Sequence, residues 1–279
     1  MNRPLTLGYS PCPNDTFIFY ALVHGKIDTV GLSFRELLED VETLNRMALN
    51  TELDITKVSF HAFGHLMDNY CLLRSGGALG RGCGPLVVAR DACSMQDLRG
   101  KKIAIPGSLT TAYLLLQLYD HELRHNIIAM PFNRIIDAVK NGEADAGLII
   151  HESRFTYQEA GLKNILDLGR WWENETGLPI PLGCIIAKRG LGRELIERTE
   201  QLIRRSLEYA FSNRQETKNY IKGHSQELAD MVIEDHIDLY VNDFSLDLGS
   251  DGIEAVRELF RRASEQGILA RSPLPLFIN

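Results

Sequence analysis

Short apolar runs alternate with helical spacings over the first two-thirds of the chain. Leu5, Leu7 and Tyr9 recur at every second position and predict a strand. Ser10-Pro-Cys-Pro-Asn-Asp then breaks regular structure, since two prolines within three residues cannot sit in a strand interior. Asn14 or Asp15 is placed to cap a helix from 16 to about 24. A second strand is predicted at 33–38, and Val41, Leu44 and Met47 then fall at helical spacing. A third strand follows at 54–60, with Ile55, Lys57 and Ser59 on one face. Strands alternating with helices predict a parallel sheet with helices on its faces.

Residues 76–84 hold five glycines. They match neither the dinucleotide fingerprint nor the phosphate-binding loop and read as a flexible loop. A strand follows Pro85, and Ile103–Ile105 is another, stopped by Pro106-Gly107. Ser108, Thr110 and Thr111 open a helix predicted to reach about 125. Free backbone N–H groups and three hydroxyls at a helix start suit a carboxylate or phosphate, although one hydroxyl would serve as an ordinary cap. A strand at 127–132 and a helix through Ile135, Ile136 and Val139 come next, stopped by Asn141-Gly142.

Leu148, Ile149 and Ile150 then form a short buried strand followed directly by His151, Glu152 and Arg154. In an α/β sheet the carboxyl ends of strands face the ligand crevice. An imidazole there can exchange protons near neutral pH, or simply hydrogen-bond a neighbour. Trp171 and Trp172 lie in what reads as a loop-rich segment, 167–181, where one lids a pocket or both pack loop against core. Residues 181–187 read as a second crossing strand. Beyond Gly190 the chain is helical, at 194–213, 216–221, 225–239 and 250–266. Ile253, Val256, Leu259, Phe260 and Ala263 give the last helix its apolar stripe.

The 279 residues suffice for one large domain or two lobes. A net charge of −7 argues against a nucleic-acid surface, where a basic face is expected. The N-terminus lacks the apolar core of a signal peptide and no apolar run is long enough to span a membrane. A cytoplasmic protein is expected, with a small-molecule substrate, no membrane or nucleic-acid partner and an oligomeric state left open. Five cysteines without a Cys-x-x-Cys pair read as reduced thiols; Cys12 alone, in the loop after the first strand, is a candidate for function, against the plainer reading of a small space-filling residue. His121-Glu-Leu-Arg-His125 spells a zinc-protease string. Its histidines fall opposite the apolar stripe of Ala112, Leu115, Leu116, Tyr119 and Leu123, so a solvated face is expected and no metal. No metal is expected at the pair His61 and His65, spaced across Gly64, either.

Crossings near Leu86 and Ile186 divide the chain into a discontinuous lobe, 1–86 and 188–279, and an inserted lobe, 87–187. Residues 94–111, followed by Gly142-Glu-Ala-Asp-Ala-Gly, resemble the second lobe of the type-2 periplasmic-binding-protein fold. That resemblance implies a two-lobed α/β architecture with the ligand cleft between lobes.

A sharper likeness lies in Ser10-Pro-Cys-Pro-Asn-Asp-Thr-Phe-Ile-Phe, Asp40-Val-Glu-Thr-Leu-Asn and Thr56-Lys-Val-Ser. It continues in His151-Glu-Ser-Arg-Phe-Thr-Tyr, Asp167-Leu-Gly-x-Trp-Trp-Glu and Gly177-Leu-Pro-Ile-Pro-Leu-Gly. These strings resemble the 1,4-dihydroxy-6-naphthoate synthases of the futalosine route to menaquinone (the MqnD family), with Thr56 and Phe60 as neutral departures. The resemblance implies a lyase that converts cyclic dehypoxanthinyl futalosine to 1,4-dihydroxy-6-naphthoate and dihydroxyacetone. It implies His151 as proton acceptor and substrate contacts at Lys57, Val58, Ser59, Thr110 and Thr111. The residues themselves add Ser10, Asn14, Asp15 and Ser108 as polar groups at strand and helix ends. No metal or redox cofactor is expected. The competing readings are a non-catalytic carboxylate-binding protein on the same fold and a chorismate dehydratase of the same pathway.

Overall fold

The computed structural model describes residues 3–225 and 229–278 and arranges them on two β-sheets. The chain begins with β1 (Leu5–Tyr9), α1 (Pro13–Val23), β2 (Phe34–Leu38), α2 (Val41–Leu49), β3 (Ile55–Ser59) and α3 (Phe60–Leu66). It continues through β4 (Tyr70–Leu72), β5 (Ala78–Gly80), β6 (Leu86–Ala89), β7 (Ile103–Ile105), α4 (Thr111–Tyr119) and β8 (Ile127–Ala129). Then come α5 (Ile135–Lys140), β9 (Ala146–Ile149), α6 (Ser153–Thr156), β10 (Lys163–Asp167), α7 (Leu168–Thr176) and β11 (Ile180–Lys188). The helices α8 (Arg193–Ser212), α9 (Arg214–His224), α10 (Asp230–Tyr240), α11 (Asp243–Leu246) and α12 (Gly249–Glu265) close the chain. The helix expected over 225–239 crosses 226–228, which lie outside the described residues. No described helix is long and apolar enough to cross a membrane.

The first sheet has the order β2-β1-β3-β11-β4, with β5 also on β11; the second has the order β10-β6-β9-β7-β8. Both are mixed, which corrects the expected parallel sheet. The βα units β1, β2 and β3 pair in parallel, as do β9, β7 and β8. By contrast β11 runs antiparallel to β3, β4 and β5, and β6 antiparallel to β9 and β10. A parallel neighbour needs a helical crossover returning to the same sheet. Both β6 and β11 enter from the other sheet, so they meet their neighbours head to tail.

Further local expectations change. Residues 76–84 are not a free loop, because Ala78–Gly80 is a fully buried strand on β11. Gly76 is needed there, with φ +84° and its carbonyl bound to Lys57. Helix α1 starts at Pro13 with Cys12 at the cap, since proline suits the first helical turn and needs no N–H partner. Asn14 and Asp15 are therefore freed from capping. Helix α4 ends at Tyr119, because Asp120 is extended (φ −153°) and caps a separate 3₁₀ turn, His121–Arg124. The tryptophan segment is helix α7, capped by Asp167 and closed by Gly177 in the left-handed region.

One apolar core runs from β3 and α3 through β7 and α4 to α7 and α12. A second joins β1 and α1 to α8, α9 and α10, and a smaller one lies beside α5 and β9. Where the chain crosses between sheets, a β-carbon on Gly84 would lie 2.2 Å from the backbone of Gly169, so that crossing requires glycine.

Candidate active site

The carboxyl ends of β1, β3 and β9 and the start of α4 converge on one narrow cleft. Ser10, Asn14, Asp15, Lys57, Val58 and Ser59 line one wall. Thr110, Thr111, Ala112, Ile150 and His151 line the other, with Leu182, Gly183 and Tyr240 between. Every site residue expected from the sequence is thus gathered on one cavity except Ser108. That residue is exposed, and its hydroxyl meets Glu42 Oε1 at 3.3 Å.

On the first wall the polar groups hold one another. The Asp15 carboxylate accepts from the Ser10 N–H (3.1 Å), the Ser10 hydroxyl (2.8 Å), the Asn14 amide (2.8 Å) and the Lys57 ammonium (2.9 Å). Lys57 also donates to the Gly76 carbonyl at 2.9 Å, and both members of the ion pair are buried. Lys57 is thus held in the interior, with both its partners supplied by the protein. Asn45 brackets Ser59, accepting from its N–H at 2.9 Å and donating to its hydroxyl at 3.2 Å.

This network sets the state of a residue that the sequence reading missed. The Asn14 amide nitrogen is committed to Asp15, so its oxygen faces His236 Nε2 at 3.0 Å. Nε2 must then carry the proton, which leaves Nδ1 of His236 as an acceptor. That atom is buried and has no partner. Burial, with the nearby His151, pushes the His236 pKa well below the ordinary range and keeps the ring neutral. Its place on the buried stripe Ile233, His236, Ile237, Tyr240 was the available signal.

On the second wall His151 follows β9 with φ 54°, a left-handed conformation that costs a non-glycine residue about 1–2 kcal/mol. Such strain at a strand end is a common mark of a working residue. The ring packs on Phe132 (centroids 5.0 Å) and lies parallel to His236 (6.0 Å, 7° between planes). Desolvation lowers the His151 pKa from 6.5, opposed by Glu152 and Asp15, so the free base prevails at neutral pH. Glu152 is buried, and its Oε2 accepts no hydrogen bond. Arg154 points elsewhere, bonding the Gly84 carbonyl and Asp167 (2.8 Å), and so fastens the crossing rather than the cavity.

The start of α4 offers less than three free hydroxyls. Thr110 donates to the Gly107 carbonyl (2.8 Å) and accepts from the Tyr113 N–H (3.3 Å), while Thr111 donates to the Leu182 carbonyl (2.6 Å). Of the first-turn N–H groups, which a helix does not satisfy internally, that of Tyr113 is thus taken by the cap. Glu42 Oε2 already accepts from the Leu109 N–H at 3.1 Å, just ahead of that turn.

The zinc-protease string comes apart, because His121 and His125 are exposed on the 3₁₀ turn and each meets Glu122. His61 is buried against the Thr110 carbonyl, and its pKa is lowered to about 4, chiefly by burial. Neither tryptophan lids the cavity. Trp172 is fully buried with its N–H on the Pro179 carbonyl, and Trp171 packs edge-on against Tyr119.

Comparison with known proteins places this geometry in context. A family model described as menaquinone biosynthesis matches residues 5–265. A 1,4-dihydroxy-6-naphthoate synthase from Thermus thermophilus is 52% identical over 98% of this chain and 99% of its own. A second, from Streptomyces coelicolor, is 45% identical over 95% and 94%. Among solved structures, protein AF1704 from Archaeoglobus fulgidus superposes with a TM-score of 0.90 at 39% identity, covering 95% of this chain and 98% of that one. A Candida albicans protein described as having the generic periplasmic binding protein fold gives a TM-score of 0.71 at 15% identity, over 97% and 92%. That last likeness shows the two-lobed fold alone.

Proposed function

The chain belongs to the menaquinone-biosynthesis family, among its 1,4-dihydroxy-6-naphthoate synthases, and on that premise we propose that it cleaves a carbon–carbon bond of cyclic dehypoxanthinyl futalosine. The products are 1,4-dihydroxy-6-naphthoate and dihydroxyacetone, and His151 is the general base. The observation that carries this reading is the position of one imidazole. It sits at the carboxyl end of β9, strained and held as the free base, on the same cavity as Lys57 and the start of α4.

Breaking a bond beside a carbonyl requires a base to take a proton and a place for the electron pair that the bond leaves. His151 takes the proton, a role worth ~10²–10⁴-fold. Lys57 and the first-turn N–H groups of α4 supply the positive field for the developing oxyanion and for the substrate carboxylate. Ser10, Asn14, Asp15 and Ser59 shape that wall and lock its charge in place. Aromatisation of the naphthoate ring draws the step forward.

We further assign the lobes as 1–86 with 188–279, and 87–187, but with residues 180–187 lying in the sheet of the first lobe because β11 pairs there. The protein is placed in the cytoplasm, in keeping with five free cysteines.

Incubation with cyclic dehypoxanthinyl futalosine is expected to release naphthoate and dihydroxyacetone in equal amounts. His151→Asn should bind the substrate and fail to turn it over. Substrate recovered unchanged from the native protein would mean a binder, and full activity in His151→Asn would remove the base.

A further inference from the structure

We propose that Cys12, His151 and Glu152 form a binding site for a thiophilic divalent cation of the zinc class, and that a cation held there blocks turnover. One donor atom from each side chain lies within 4.8 Å of the other two, the one such grouping among the described residues. Cys12 comes from the first wall, at the cap of α1, and the other two from the second wall, just beyond β9. A second, smaller cavity of about 20 Å³ opens on the set, lined also by Pro11, Asp40, Val41 and Phe132.

The donors are those zinc selects: a thiol, an imidazole and a carboxylate, three protein ligands with a fourth position open. With bonds of ~2.0–2.3 Å, small side-chain rotations bring all three onto one ion. Glu152 provides the independent sign of a ligand. It is 6% exposed, and its Oε2 is fully buried without a hydrogen-bond partner. A buried carboxylate oxygen left unpaired in this way is costly, and a cation satisfies it. Among the described residues the zinc-like string at 121–125 holds no such grouping, whereas Cys12 belongs to one.

Binding converts the thiol to a metal thiolate and releases one proton to solvent. It also takes up a nitrogen lone pair of His151 and ties the two walls together. The blocking effect rests on His151 acting as base, as proposed above; the site itself rests on geometry alone.

Protein stripped of metal with a chelator and titrated with Co²⁺ should take up one equivalent, release a proton, and develop the near-ultraviolet sulfur-to-cobalt absorption of a thiolate ligand. Cys12→Ser, which keeps the side-chain volume and a good helix cap, should lose that absorption. Glu152→Gln should weaken cobalt uptake. Zn²⁺ should displace the cobalt and stop turnover of the native enzyme, reversed by chelator, while Cys12→Ser stays active in zinc. Cobalt bound without the sulfur absorption, as on surface histidines, overturns the site, and so does absorption that persists in Cys12→Ser. If the absorption appears but His151→Asn still turns over, the base assignment falls and the site stands. If it is absent and His151→Asn is inactive, the site falls and the base stands.

Discussion

The two walls of the cavity are built on opposite terms. On the first, Asp15 accepts from four protein donors and Lys57 gives to two acceptors, so the charges are spent on each other. On the second, His151 carries backbone strain and Glu152 an unpaired oxygen, and an unpaired nitrogen of His236 lies behind them. Buried polar groups in folded proteins are nearly always paired, and the exceptions gather where something must bind or react. The saturated wall is thus a template that fixes shape and field. The unsaturated wall holds the capacity for chemistry, and folding tolerates its cost because the first wall is so fully satisfied.

The largest effect should come from the unsaturated wall. His151→Asn is expected to lower kcat by ~10²–10⁴-fold with little change in substrate affinity, measured by steady-state kinetics and calorimetry. The thermal midpoint should hold, because asparagine, like histidine, is among the residues that tolerate the left-handed backbone best after glycine. A loss of fold in this variant would break the division between the walls.

On the saturated wall the cost should fall on stability. Lys57→Met leaves the Asp15 carboxylate buried beside an apolar group, and removing one member of a buried pair costs ~3–5 kcal/mol. Urea denaturation would read it. Adding Asp15→Asn should recover much of the loss, since an uncharged pair strands no ion. A Lys57→Met protein as stable as the native one would mean that the wall is not held by this pair.

Acid should weaken the fold through His61. Its folded pKa is about 4 against an ordinary 6.5, so between these values the unfolded chain binds a proton that the native state refuses. This contribution is fully present above pH 6.5 and is lost as pH falls through 4, amounting to about 3 kcal/mol at the low end. His61→Phe should flatten that part of the urea-midpoint profile. Turnover should fade on the acid side below pH 6.5 instead, as the lowered pKa of His151 directs, and His61→Phe should leave that limb where it is.

Where the sequence was legible, the signal was local. Alternation marked β1, the apolar run marked β9, and the proline-rich loop after β1 marked the convergence of Ser10, Asn14 and Asp15. What could not be read depended on partners far along the chain. The Asn14–His236 bond spans 222 residues, and no periodicity on α10 announces that its buried face meets the cavity network. Strand direction at β6 and β11 follows from the crossings between sheets and not from composition. Helix α7 was obscured because adjacent tryptophans and glycines resemble loop, and only the cap at Asp167 and the burial of Trp172 decide for helix. The hydroxyl count at 108–111 suggested an anion cradle, but counting donors ignores the acceptors already beside them, here Gly107, Leu182 and Glu42.

The smallest effect tests where the second wall ends. Ser108 stands two residues before Thr110 and by sequence belongs with it. Its hydroxyl, however, reaches outward to Glu42 of α2, and Glu42 also takes the Leu109 N–H. The contact therefore ties α2 to the loop before α4 without facing the cavity. Ser108→Ala removes one exposed hydrogen bond of 3.3 Å and leaves the shorter one from Leu109 intact, so stability should change by no more than ~0.5 kcal/mol. KM should stay unchanged, since no donor to the substrate is lost. A KM that rises several-fold at constant stability would return Ser108 to the cavity and show that the loop before α4 swings inward when substrate binds. The saturated and unsaturated walls would then exchange a partner during the reaction, with Glu42 released as the substrate carboxylate takes its place.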